Sequence, residues 1–176
     1  MLSGFRRLRD SNGRLKGGAL DFAIIELVEP LPQYRSGLAK ICLSSDTSGG
    51  TKVLTGYGCL KVGADSVCAK MPELSVHQTT VQMQETCKYY AMPDAFDNST
   101  QLCSLSAKMR GVTTGAVGAP LVDYDAQKQR WYLHGIGEWA TDDRMYAYSF
   151  FVRVHAFCDL IKSVTAGSGY EAKCEE

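Results

Sequence analysis

Cysteine is the residue type in this sequence that offers the most chemistry. The 176-residue chain has seven cysteines and three histidines. With no CxxC pair and no histidine at metal-ligand spacing, we expect no metal site and favour a disulfide framework, which indicates an oxidising compartment. Because seven is odd, at least one cysteine lacks a partner within the chain. The seven are Cys42, Cys59, Cys68, Cys87, Cys103, Cys158 and Cys174, and the histidines are His77, His134 and His155.

Charge and composition exclude several classes of protein. Lys+Arg and Asp+Glu both number 19, so the net charge is zero, which argues against nucleic-acid or anionic-membrane partners. No apolar stretch reaches the roughly eighteen residues of a membrane span. The 17 glycines, scattered among β-branched and aromatic residues, favour an all-β fold with many turns. Asn98 begins an Asn-Ser-Thr glycosylation sequon, and nothing in the sequence implies a cofactor.

The first 17 residues do not read as a secretory signal. They contain four Arg, one Lys and one Asp, whereas a signal peptide needs an apolar run of about seven to fifteen residues. We interpret residues 1–17 as a solvated, disordered basic leader, and the alternative is a basic binding arm.

The sequence predicts that the residues discussed above are positioned mainly by short strands. The patterns predict a short helix over 87–94 and strands over 20–27, 51–58, 76–84, 118–123, 130–139 and 144–154. From Val154 onward the apolar residues recur at the spacing of a helix, which is predicted to end before Gly167. Its apolar face comprises Val154, Phe157, Cys158, Ile161 and Val164. The expected architecture is a β-barrel or sandwich with a C-terminal helix.

Seven segments of the chain occur in the order found in one known family. They are 21–27 (DFAIIEL), 39–43 (AKICL), 55–58 (TGYG), 85–87 with 102–103 (ETC and LC), 115–122 (GAVGAPLV), 133–139 (LHGIGEW) and 151–154 (FVRV). Over residues 19–164 the chain resembles the trypsin/chymotrypsin-like serine proteases, and among these the divergent group that is expanded in nematodes.

The resemblance implies a trypsin-like double β-barrel. Residues 49–153 would form a complete second barrel, followed by the helix at 154–164 and a tail at 165–176. Residues 18–48 would supply only a remnant of the first barrel and the linker between barrels. We expect either a truncated product of a longer secreted protein or a shortened form whose open barrel edge needs a partner.

The resemblance also implies that the catalytic apparatus is lost. Asp21 stands at the position of the triad acid, but no histidine precedes it. Val117 stands at the position of the nucleophile, and an isopropyl group cannot attack a carbonyl. Gly115 keeps the position of an oxyanion-hole glycine. Ala116 replaces the aspartate that pairs with the new N-terminus after zymogen cleavage.

The cleft that would hold substrate departs from the family in the same way. Gly111 falls where trypsin-like enzymes carry the aspartate that binds Arg or Lys, and Glu138 replaces a serine beside Trp139. The Glu138 carboxylate could bind a cationic group in this cleft, and the alternative is a solvated or internally paired side chain.

The resemblance pairs Cys87 with Cys103 across one loop. Cys42 matches a cysteine that usually bonds to an upstream segment, which would account for the odd number. Cys158 could instead be a buried thiol of the helix. The further pairs that are possible are Cys59 with Cys68 and Cys158 with Cys174.

These observations predict a secreted, catalytically inactive homologue of serine proteases. It would act by binding a protein partner, as a decoy for protease substrates or inhibitors or as a regulator of an active protease. The alternatives are an active endopeptidase of the same family, an intracellular adaptor, and a truncated product without function.

Overall fold

The computed structural model describes residues 2–7, 22–29, 37, 39–45, 49–62, 67–70, 73–91, 96–107, 111–113, 115–141, 146–167 and 172–175. Its strands are β1 (Leu2–Arg7), β2 (Ala23–Leu27), β3 (Cys42–Ser44), β4 (Gly50–Gly56), β5 (Cys59–Val62), β6 (Val67–Lys70), β7 (Ser75–Val81), β8 (Gln101–Ala107), β9 (Pro120–Asp125), β10 (Arg130–Ala140), β11 (Tyr146–Arg153) and β12 (Cys174–Glu175). The helices are α1 (Gln84–Tyr90), a 3₁₀ turn (Val154–Phe157) and α2 (Cys158–Thr165).

Six strands close into a barrel. The antiparallel pairing runs from β4 to β7, β8, β11, β10 and β9, and then returns to β4. The last pairing sets Val53 opposite Val122 and Leu54 opposite Leu121. The all-β prediction is confirmed, and of the barrel and the sandwich the structure is a barrel. The double barrel of the trypsin-like family stays a prediction.

The barrel interior is partly apolar and partly polar. Leu54, Leu121 and Phe151 are buried in one apolar cluster. Beside them, the hydroxyl of Ser106 donates to Thr79 at 2.8 Å, and that of Thr79 donates to Ser104 at 2.7 Å. These buried hydroxyls are hydrogen-bonded to one another. Their burial therefore avoids the free-energy cost of burying polar groups without partners.

The C-terminal helix is present where its apolar period predicts it, but its first turn is 3₁₀. Val154, Phe157 and Ile161 are buried in a second cluster with Val152 of β11. A disulfide from Cys158 joins α2 to β12. The helical segment therefore lies over β10 and β3, and its disulfide fastens it to β12, which pairs with β3.

The N-terminal half of the chain adds strands outside the barrel. Residues 2–7, within the predicted basic leader, form β1, which pairs antiparallel with β2 in a register that sets position 5 opposite position 25. Strand β3, within the predicted first-barrel remnant, pairs in parallel with β10 and with β12. β1 pairs along the edge of the apolar strand β2. The composition of the leader did not predict that it would form a strand.

Candidate functional site

A tight turn precedes β9 and holds Val117 at its tip. Gly115 and Gly118 have φ angles of +86° and +89°, in the left-handed region that glycine adopts without strain. The amide of Ala116 donates to the Thr113 carbonyl at 2.8 Å, and the amide of Ala119 donates to the Ala116 carbonyl at 3.0 Å. We refer to residues 115–120 as the Val117 turn. The side chain of Val117 is 61% exposed.

Backbone hydrogen bonds fasten the Val117 turn to β10. The Gly118 amide donates to the Gly137 carbonyl at 2.7 Å, and the Gly137 amide donates to the Ala119 carbonyl at 2.8 Å. A Cβ atom on Gly137 would lie 3.0 Å from Val112 Cγ2 and 3.2 Å from the Ala119 carbonyl oxygen, so this approach requires glycine or a local shift. Within the described residues, neither the Gly115 amide nor the Val117 amide donates a hydrogen bond.

The Val117 turn can bind but has no group that could act as a nucleophile. These two backbone N–H groups, which donate to no described residue, can donate to a carbonyl or carboxylate oxygen of a ligand. The residues from 115 to 120 carry no hydroxyl, thiol, amine or carboxylate side chain. Asp21, which the resemblance assigns as the triad acid, lies outside the described residues.

The predicted cleft residues lie close to this turn on β10 and near β11. Glu138 is buried, and its carboxylate accepts a 2.6 Å hydrogen bond from Gln101 Nε2. Trp139 stacks on Phe150 with 3.8 Å between ring centroids. Gly111 is half-buried. The structure thus places Glu138 in an internal hydrogen bond, which was one of the two interpretations of its sequence position.

Among the described side chains, the disulfides are Cys87–Cys103 and Cys158–Cys174. The first is the pair that the resemblance implies, and the second is one of the two further possible pairs. Cys42 is free. The backbones of Cys59 and Cys68 lie on the paired strands β5 and β6, but their side chains are outside the described residues. Asn98 is exposed in a turn, and its glycosylation stays a prediction.

A charged cluster that the sequence did not single out lies inside the barrel. Lys52 Nζ forms an ion pair with Asp123 Oδ2, and His134 Nε2 lies 2.8 Å from Asp123 Oδ1. Lys52 and His134 are only 4% and 6% exposed. Burial raises the pKa of Asp123, but the hydrogen bonds and charges of Lys52 and His134 outweigh it and set that pKa below its ordinary value. We call these three residues the charged cluster.

A sequence signal for this cluster existed. Lys52 and Leu54 are two residues apart on β4, so they point to the same face, and a lysine on the core face of a strand requires a buried partner. The partner could not be named from the sequence, because Asp123 lies 71 residues further along the chain.

Two other kinds of feature, a metal site and a membrane-spanning helix, are absent from the described residues. No group of three or more His, Cys, Asp or Glu side chains there is placed to hold a metal ion. None of the described helices is long and apolar enough to cross a bilayer. Compared with known proteins, the chain matches no protein-family model and no curated protein.

Proposed function

We propose that this protein is a non-hydrolytic homologue of the trypsin-like serine proteases that binds an extended segment of a protein partner at the Val117 turn. The observation that carries the proposal is the exposed Val117 side chain at the tip of a turn in which two backbone amides donate to no described residue. A ligand carbonyl can be held there, but no covalent intermediate can form on an isopropyl group.

The surface around Val117 suits an extended peptide. Tyr57 is also exposed, and its carbonyl oxygen is 3.9 Å from where a Cβ atom of Gly115 would be. The β9–β10 ladder ends at Pro120 and Ile136. Beyond Gly137, the strand pairing of β10 within the described residues is with β11 alone. A partner strand can therefore add along β10, with apolar contacts from Val117 and Tyr57.

An extracellular location fits this function. Disulfides such as those at Cys87 and Cys158 persist in oxidising compartments, and Asn98 presents its sequon on an exposed turn. Secreted proteases and their protein inhibitors meet in that compartment. A homologue without a nucleophile would occupy an inhibitor without being consumed by it, which is the decoy role.

The test is binding to a protein inhibitor of trypsin that presents an extended reactive-site loop. Val117→Asp places a charge at the tip of the turn, and we expect it to weaken binding about tenfold or more. Val76→Asp is the matched control, since Val76 is 60% exposed against 61% for Val117. We expect surface plasmon resonance to give an unchanged Kd for the control. Absence of binding by the unmodified protein, or equal loss in both variants, would contradict the proposal.

A further inference from the structure

A cavity of about 560 Å³ opens beside the charged cluster. Its position relative to the Val117 turn follows from β4, in which Lys52 lies near one end of the barrel and Gly56 at the other. Ala119 of the Val117 turn packs at the Gly56 end, 3.0 Å from where a Cβ atom of Gly56 would lie. The cavity therefore lies away from the site of the proposed function, and the inference drawn from it is independent of that function.

The wall of the cavity carries three basic side chains, Lys52, His134 and Arg153. Lys52 and His134 share Asp123 as their partner. Arg153 is different, since Nε and Nη2 donate to the backbone carbonyl of Gln101 at 3.3 Å and 3.0 Å. Among the described residues, no carboxylate pairs with Arg153.

Arg153 is thus a half-buried cation whose charge is not compensated within the described protein. Burial lowers its pKa, as expected for a guanidinium that has lost water without gaining an acidic partner. Its remaining N–H donors can bind a planar or tetrahedral oxyanion, and guanidinium is the side chain best suited to such groups. Lys52 and His134 stand on the same wall, but Asp123 compensates the charge of Lys52, so Arg153 is the cation available to a ligand there.

The rest of the wall indicates the kind of molecule that carries the oxyanion. Val81, Leu102 and Phe96 line the cavity together with the basic residues. Its volume falls within the range of sites for small molecules, roughly 300–1,000 Å³. We propose that this cavity binds a small organic anion, a carboxylate or a phosphate ester, with the anionic group on Arg153 and the apolar body against Val81, Leu102 and Phe96.

Isothermal titration calorimetry at constant ionic strength tests the proposal with benzoate and phenyl phosphate, and with inorganic phosphate as the probe that lacks an apolar body. We expect one molecule of benzoate or phenyl phosphate to bind, and inorganic phosphate to bind more weakly. The tighter of the two aromatic probes identifies the anionic group as carboxylate or phosphate. Failure of both aromatic probes to bind would overturn the proposal.

Two variants with opposite expected effects locate the binding. Arg153→Gln should weaken binding about tenfold or more, since a charge-assisted hydrogen bond is lost. Arg130→Gln is the matched control, because Arg130 is an exposed arginine that pairs with Glu175, and it should leave the affinity unchanged. Glu85→Gln removes an exposed acidic residue from the cavity wall and should tighten binding severalfold.

The Glu85→Gln variant keeps the test decisive if Arg153→Gln does not fold, since it changes an exposed side chain. An affinity that is the same in Arg153→Gln and in the unmodified protein would overturn the proposal. If Arg153→Gln is unfolded, an unchanged affinity in Glu85→Gln would overturn it instead.

Discussion

At one end of the barrel the Val117 turn presents an exposed valine on a frame of backbone hydrogen bonds, whereas near the other end the charged cluster joins three side chains in the barrel interior. The turn takes its shape from glycine φ angles and backbone donors, so the side chain at position 117 can change without changing the turn. The charged cluster consists of side chains alone, so any change in Lys52, Asp123 or His134 alters it.

On the function proposed above, this difference explains how the reaction of the trypsin-like family could be lost while the shape of the turn is kept. Natural selection can replace a nucleophile on a backbone-defined turn at little cost to folding. A buried ion pair cannot lose one member so easily, because the other is left charged inside the protein. We therefore expect substitutions at the charged end of the barrel to reduce stability and those at Val117 to leave it nearly unchanged.

The largest change in stability is expected from removing the Cys87–Cys103 disulfide, which joins α1 to β8 near the end of the barrel that holds the charged cluster. Cys87 also lines the cavity, and Cys87 and Cys103 are both almost completely buried. Replacing both with Ala removes a crosslink across a sequence separation of 16 residues. The chain-entropy model gives about 3 kcal/mol for such a loop, and lost core packing adds to it. Urea unfolding monitored by circular dichroism measures the change.

The second disulfide is a control with the same loop length. Cys158 and Cys174 are also 16 residues apart, so the entropic contribution is equal. Cys174 is less buried than Cys87, so the packing contribution is smaller. The double Ala variant at Cys158 and Cys174 should therefore lose less stability than the variant at Cys87 and Cys103. The reverse order would contradict the view that the Cys87 disulfide belongs to the barrel core.

The next largest effect is expected at Asp123. Asp123→Ala leaves Lys52 buried without an opposite charge and should lower the free energy of unfolding by about 3 kcal/mol, the lower end of the range for buried pairs, because Asp123 itself is partly exposed. The double variant Lys52→Met with Asp123→Leu should recover the part of this loss that comes from the unpaired Lys52 charge, since apolar residues of similar size replace the ion pair and only the contact of His134 with Asp123 stays broken. A double variant no more stable than Asp123→Ala would show that the pair itself does not account for the loss.

A smaller effect follows from pH. The carboxyl of Asp123 has a lower pKa in the folded chain than its ordinary value, so the unfolded chain binds more protons in acid. The free energy of unfolding should therefore fall as the pH drops below about 4, the ordinary range of aspartate, and towards the lower folded value. Above that range this contribution stays constant. The Lys52→Met, Asp123→Leu variant should lose less stability over the same acid range.

The sequence predicted those strands whose apolar residues recur along one face or form a run. The strands that it did not predict include β1 and β3 and also β8, whose core face is small and polar. β4 and β10 were expected from their β-branched and aromatic residues. β8 was not, because Ser104 and Ser106 are buried in it where apolar residues would be expected. Those serines reach Thr79 of β7 only after the barrel has closed. Local pattern cannot reveal a hydrogen-bond partner on another strand.

The two candidate sites differ in the same respect, since one could be located from the sequence and the other could not. The Val117 turn was located from the sequence only through the resemblance of residues 115–122 to a motif of the trypsin-like family. The cavity at Arg153 could not be located, since its walls come from β4, β7, β8, β10 and β11 and from α1. A resemblance between short segments compares neighbours in sequence, whereas a cavity joins residues that are distant in sequence.

The smallest effect is expected at Val117, where the prediction is that chemistry does not return. Val117→Ser puts a hydroxyl at the tip of a turn in which the Gly115 and Val117 amides donate to no described residue, and stability should stay within about 0.5 kcal/mol because the side chain is exposed. A serine hydroxyl needs a base in hydrogen-bond contact to become a nucleophile. His134, a buried histidine, lies at the other end of the barrel against Asp123. We therefore expect no turnover of peptide esters above that of the unmodified protein, and measurable acyl-enzyme formation would contradict the assignment of a non-hydrolytic site.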